Sequence, residues 1–536
     1  MPTSPQELLD RITGRLAPLE RELRQAYWAA ATDARPETTE AKAQAEDAWL
    51  AALGDRELFE EVEAALATAD TSDRPLTARA LAEARRALLA NQIPEDLRPG
   101  LVRLQAKVEA AFSTVRGRVG DREVTNNEID DVLARSGDSA ERRAHWEAGK
   151  QVGAAVADDL VALVELRNQA ARGHGYRDWF AFSLATDDLD EQWLDRTMAE
   201  VEQATRAPFL AVKDALDQRL ARRFGVAVGE LRPWHYGDLF FQRADGEFFQ
   251  QADGEGGADL EPLLGGRDNV ELAVATYDGL GLETRHVLAR SDLHPRPGKD
   301  QHAFCIDVDR GGDVRVLANV TAGEQWLDTM LHELGHAVYD DHLGRSLPWM
   351  LRRPPHALST EAVALMLGRL RHDPDFLVGV AGAEHEAARA LGAASREVLR
   401  AGMLVFARWC LVMVRFEQAL YDDPGRDLSA TWWDLVEELQ GVRRPEGRTQ
   451  PDWASKIHLA VSPVYYQSYL LGELMASQLD HAVRAGVGGF VGRPEAGAFL
   501  VERVFTPGAS LAWMGLIESA TGRPLTPEAF VAGLER

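Results

Sequence analysis

Residues 330–340 read MLHELGHAVYD, and their types and spacing suit metal chemistry. His332 and His336 stand four apart, which places two imidazoles one turn apart on the same face of an α-helix. Both can then reach one Zn²⁺ at about 2.0–2.1 Å. Glu333 lies off that face, where a carboxylate can take a proton from an attacking water without being a ligand. The pattern predicts a zinc-dependent hydrolytic site with Glu333 as general base.

A catalytic zinc needs three protein ligands and one open position, and the sequence offers two candidates for the third. His342 has the spacing of a site class in which a glycine turns the chain and brings a third histidine round. Tyr339 stands where that glycine belongs, and a helix that simply continues points His342 about 100° or more away from the pair. His342 is therefore expected to face solvent. Glu361 is the other candidate. After Pro348 and Pro354-Pro355, Ser359 is expected to cap a helix STEAVALMLGRL with Glu361 in its first turn. Spacing alone leaves Glu361 open between a ligand and a carboxylate favoured near a helix N-terminus.

The elements that must position these groups are legible in outline. Thr321-Ala-Gly-Glu324 fits a capping box, which predicts a helix starting near Ala322. Along it Trp326, Leu327, Met330, Leu331, Leu334 and Val338 share one side, for the core, opposite the two histidines. Just before it, HAFCIDVDRGGDVRVLAN reads as a β-hairpin turning at Arg310-Gly311-Gly312-Asp313, with the glycines free to adopt positive φ. Residues 1–220 read as successive amphipathic helices broken at Asp70-Thr-Ser-Asp and Gly137-Asp-Ser. Residues 221–320 carry loops, including the Gly-rich QQADGEGGADLEPLLGG, and the hairpin. Residues 321–536 return to helix. The expectation is one mainly α domain over 1–536.

The 536 residues carry 59 basic and 85 acidic side chains, a formal charge of −26. Nucleic-acid binding requires a basic footprint, so it is not expected. The charge serves solubility, with a weak bias toward cationic ligands. No window approaches the roughly 18 apolar residues of a membrane span. MPTSPQELLDRITGRL lacks the basic start and apolar stretch of a secretory signal. Cys305 and Cys410 are expected to be buried thiols of a cytoplasmic protein. No GxSxG elbow, phosphate loop or Cys-His pairing offers other chemistry. His356 is expected to be a surface or satisfied core residue, whereas His235 could line the cleft.

Taken in order, several stretches resemble the angiotensin-converting-enzyme family of zinc peptidases, within the group that includes thimet-type oligopeptidases and Taq-type carboxypeptidases. They are RQAYWAAATDA, LVELRNQAARGHGYRDW, PWHYGDLFFQ, His302-Ala303 ahead of VTAGEQWLDTMLHELGH, LPWMLRRPPHALSTEA, and KIHLAVSPVYYQSYLLGELMASQ, covering about residues 20–480. The resemblance implies a helical ellipsoid around a deep central active-site channel, with the hairpin beside the zinc helix and one Zn²⁺ on His332, His336 and Glu361. It implies that His302 and Ala303 hold the substrate backbone and that Lys456 and Tyr466 bind its C-terminal carboxylate. His458 and Tyr469 would stabilise the oxyanion; Tyr466 is preferred to Tyr465 for its three-residue step to Tyr469.

Two positions depart from the family. Leu365 replaces an acid that orients a ligand, so another group must serve His332. Ser468 replaces the arginine linked to chloride activation, which puts chloride dependence in doubt. The expected function is hydrolysis of short peptides, with removal of C-terminal dipeptides. Internal cleavage or removal of single residues are the alternatives, and a catalytically inactive zinc- or peptide-binding module is the rival outside enzymes. Nothing in the sequence indicates an oligomeric state.

Overall fold

The computed structural model describes residues 4–68, 74–244 and 259–535. The predicted break at 70–73 and residues 250–258 of the Gly-rich stretch lie outside them. The fold is mainly α, as expected, with two small antiparallel hairpins. Among the described residues no helix is long and apolar enough to cross a membrane.

The long helices start where short polar side chains can satisfy their first N–H groups. Ser4 and Glu7 form a capping box at the head of Pro5–Thr32. Asp138 caps Ser139–Gly173 and Asp190 caps Glu191–Phe224. Apolar faces from residue 108 to residue 534 join in one continuous core. The first four helices, within residues 5–89, carry a second cluster around Leu8, Ile12, Leu16, Val62 and Leu81, which closes on Trp349, Met350 and Leu351.

Strands β1 (Gly117–Val119) and β2 (Arg122–Val124) form a hairpin inside the stretch expected to be wholly helical. Three-residue strands are too short to print a period of two on the sequence. The expected hairpin is β3 (Phe304–Asp307) paired with β4 (Val314–Leu317), Phe304 opposite Leu317. At its turn Gly312 has φ 113, but the other positive φ belongs to Arg310 (52) rather than Gly311. Arg310 is held there by a buried ion pair, Nη2 to Glu20 Oε1 at 2.6 Å, and stacks on Trp349. The first helix thereby braces the hairpin from 290 residues away. The end of the Gly-rich stretch is not loop: Glu261–Leu264 forms a helical turn.

Candidate active site

The motif helix runs Glu324–Asp341, two residues later than expected, and the capping box does not form. Its N-cap is Gly323 at φ 118, and the Glu324 N–H donates to Glu261 Oε2 at 2.8 Å, so the cap comes from a distant segment. Leu327, Met330, Leu331, Leu334 and Val338 are buried, and Trp326 is half-buried. The helix continues through a fully buried Tyr339, whose ring packs on Phe505. His342 is its C-cap, half-buried rather than solvent-facing, with Nδ1 at 2.9 Å from Val338 O.

The second helix runs Ala357–Gly368, and its cap is also not the expected one. The buried His356 ring accepts the Leu358 N–H at 3.0 Å, while Ser359 Oγ is buried without a partner among the described residues. Glu361 therefore sits in the second turn. Gly335 brings the two helices together, since a Cβ there would lie 2.8 Å from Ala364 Cα. Any side chain at that position would push Glu361 away from the histidines.

His332, His336 and Glu361 form the group of possible metal donors found among the described residues. The two Nε2 atoms are 3.2 Å apart. Glu361 Oε1 is 3.7 Å from His332 Nε2, and Oε2 is 3.5 Å from His336 Nε2. Tetrahedral donors at about 2.0–2.1 Å from zinc lie about 3.3–3.4 Å apart, so the three atoms fit one ion. Burial pulls the His332 imidazole below its usual range. It also pulls on His336, but the Glu361 and Glu333 carboxylates more than offset this and leave that ring above its usual range.

Sequence reasoning missed the groups that hold these donors. Thr360 Oγ1 stands 2.8 Å from His336 Nδ1 and fixes the ring. The carboxylate that acts on His332 from outside the cluster is Asp328, one turn earlier on the same helix and held by Arg371. Helical spacing alone contained that signal. Orienting partners of ligating histidines carry about 10–100-fold in metal affinity. Thr360→Val is expected to weaken zinc binding by that factor while leaving the thermal unfolding of the zinc-free protein within about a degree. A competitive chelator titration measures it, and unchanged affinity would remove Thr360 from this role.

Glu333 is 8% exposed, on the side of the motif helix that faces β3. Burial pushes its carboxyl up to about 7; His336 pulls it down, Glu361 pushes it up, and the Cys305 backbone N–H pulls it down. Ala303 is partly buried, directly before β3. His302 is exposed and precedes the strand rather than lying in it, with its N–H donating to Asp300 Oδ1. The thiol of Cys305 is free and so is that of the buried Cys410.

Tyr466 and Tyr469 project from helix Tyr466–Val487, their rings 5.5 Å apart. Gly472, one turn on, faces Glu361 Cγ, so this helix lies directly against the metal-donor cluster. Burial and then the Glu361 charge raise the Tyr469 hydroxyl above its usual range. Tyr465 also packs on Tyr469, at 4.9 Å. Tyr466 instead turns to His458 at 5.3 Å and to Lys456, whose Nζ is 5.7 Å from its ring. Burial and Lys456 push the His458 imidazole down to about 4, so it is neutral.

Lys456 is 8% exposed, enclosed by the rings of Phe240, Trp409 and Tyr466, and burial pushes its ammonium down to about 8. Its Nζ donates to Gln242 Oε1 at 2.8 Å. Gln242 was missed although it ends the aromatic run PWHYGDLFFQ. The Asp238 carboxylate accepts the backbone N–H groups of Phe240, Gln242 and Arg243 and so shapes this segment. Arg142 ties the same segment to helix Ser139–Gly173 through Trp234 O and Tyr236 O. His235, with Nε2 on Ser139 Oγ at 2.8 Å, is buried in that anchor rather than lining a cleft.

The segment between His458 and Tyr466 is clamped from both sides. Arg167 donates to Leu459 O and Ala460 O at 2.8 and 2.5 Å. The buried Glu417 accepts the Val464 N–H at 2.7 Å and holds that β-branched residue at φ 55, a conformation such side chains rarely adopt.

The comparisons divide along the chain in the same way. Residues 3–210 match the family model described as angiotensin-converting enzyme. Residues 283–536, which include His332, His336, Glu361, Tyr466 and Tyr469, match that of peptidase family M3. No curated protein matches the chain. Both families are zinc-dependent peptidases, and the two matches agree in pointing to the metallopeptidase group that joins the angiotensin-converting-enzyme type with the thimet type.

Proposed function

We propose that the protein hydrolyses short peptides as a peptidyl-dipeptidase, with Zn²⁺ held by His332, His336 and Glu361. The bound ion supplies Lewis acidity to the attacking water and to the scissile carbonyl. Glu333 accepts the water's proton and delivers it to the leaving amine. Tyr469 donates its hydroxyl, and the neutral His458 a ring N–H, to the developing oxyanion; each such contact is worth about 3 kcal/mol. Ala303, preceded by His302, offers backbone at the start of β3 to an extended substrate. One domain with two helical halves bordering a channel would admit unstructured peptides and exclude folded proteins.

A single observation carries the dipeptidase reading. Lys456 is a buried ammonium with which, among the described residues, no carboxylate makes a close ion pair, although Asp238 acts on it from farther off, and Gln242 and Tyr466 stand beside it. Burying such a charge is costly without an anionic partner, and a substrate's C-terminal carboxylate supplies one. The rings of Tyr466 and Tyr469 fill the interval between Lys456 and the metal-donor cluster. In the dipeptidase reading two extended residues of about 3.3–3.6 Å each would span that interval.

The test compares a free-acid peptide with its C-terminal amide, identifying products by mass. Amidation is expected to lower kcat/KM by about 10–100-fold, the loss of one charge-assisted contact worth about 1.5–3 kcal/mol. Lys456→Ala should lower cleavage of the free acid by a similar factor and erase its advantage. Equal rates on both peptides would exclude the dipeptidase reading. Internal cleavage by the same zinc chemistry is then the alternative, favoured by the match of the site-bearing half to peptidase family M3.

A further inference from the structure

Beside the tyrosine helix lies a cavity of about 410 Å³ whose walls include Glu324, Arg369, Arg371, His372, Ser395 and Glu473. Three contacts place it on the Lys456 side of the metal-donor cluster. Ala244, two residues beyond Gln242, lines it. So does Phe406, whose ring meets Tyr469 at 6.2 Å. Glu473 is one turn past Tyr469 on the same helix. A peptide with its carboxylate at Lys456 and its scissile carbonyl near Tyr469 would send a side chain from the amine half of the cut into this space.

The walls accept hydrogen bonds more than they offer them. Arg369 is taken by Glu473. Arg371 serves two acids at once, Glu324 at 3.0 Å and Asp328. The two wall carboxylates match the two guanidiniums, and Asp328, behind the wall on Arg371, adds the one negative charge in excess. Ser395 is 2% exposed, and its Oγ has no partner among the described residues; the same holds for His372 Nδ1. Burial, with Arg371 and Arg369, pushes His372 down to about 3, so its ring is neutral and can accept. An arginine or lysine side chain carries only donors. It would satisfy these acceptors and balance the spare carboxylate. The formal charge of −26 on the whole chain draws cations in the same direction.

We propose that this cavity is a specificity pocket for a basic side chain, arginine or lysine, in one of the two residues following the cut. The inference rests on the peptidase reading and deepens it by naming the preferred substrate class.

The experiment uses peptides identical except at those two positions, carrying Arg, its neutral isostere citrulline, or Glu. Arg is expected to exceed citrulline by about tenfold or more in kcat/KM, with Glu the poorest. Glu324→Gln should bring the Arg-to-citrulline ratio toward one, and Glu473→Gln provides the same reading if that variant fails to fold. Equal rates for Arg and citrulline, or a preference for Glu, would overturn the pocket while leaving the peptidase intact. If no peptide is cut, the peptidase reading has failed. Calorimetric binding of the same peptides to the unmodified protein then decides the pocket by itself, since tighter binding of Arg than of citrulline supports it and equal binding overturns it.

Discussion

Glu333→Gln is expected to bind one Zn²⁺ per chain, the stoichiometry proposed for the unsubstituted protein, and to lose turnover by about 10²–10⁴-fold. The substitution keeps shape and removes only the ability to take up a proton. Glu333 lies outside the group of metal donors, so the ion has no reason to leave. Its carboxylate is buried between the motif helix and the start of the hairpin, where bulk water cannot easily replace it as a base. Metal content and kcat measured on the same preparation make the test. A variant that hydrolyses peptides at the original rate would show that the proton goes elsewhere and that the mechanism is wrong.

Glu361→Ala is expected to do the opposite: the metal goes first, and activity goes with it. Without the carboxylate only two neutral donors remain, and catalytic zinc sites are built on three. The loss also removes the largest of the charges that hold the His336 ring above its usual range. Dialysed protein should contain close to no zinc, and the stabilisation of the fold by added zinc should fall with the affinity. Full zinc content with normal turnover would mean that another side chain completes the site. The two variants together separate ligand from base, since one protein would be inactive with metal and the other inactive for want of it.

What the sequence made legible was local. The four-residue step of His332 and His336 and the core stripe opposite them follow from helical periodicity, and both are present in the motif helix. The hairpin at 304–317 followed from two alternating runs around glycines. The caps were read wrongly, because capping rules consider only neighbouring residues. Glu324 is capped by Glu261, 63 residues away, and the second helix starts on a histidine ring in place of Ser359. His235 shows the same limit: an aromatic-rich segment reads equally as cleft or anchor until Ser139 and Arg142 are seen to grip it. Gln242 and Thr360 escaped notice since their partners are fixed by packing between segments distant in sequence, whereas Asp328, one turn before His332 on the same helix, could have been read from spacing. The resemblance supplied Glu361, His458 and Tyr469 through the order of short motifs, where periodicity had left them open.

The possible metal donors fall within about thirty residues of sequence, whereas Lys456, His458 and Tyr469 follow about a hundred residues later. A chain emerging from the ribosome can therefore pair the motif helix with its neighbour, and capture zinc, before any oxyanion donor has been synthesised. Contacts so close in sequence form early because little loop entropy opposes them, and metal binding would add its own free energy to that nucleus. The tyrosine helix can dock only afterwards, when the segment that Arg167 and Glu417 grip has been made. Hydrolytic competence would then follow metal capture during biosynthesis, leaving unfinished chains loaded with metal but harmless to the peptides around them.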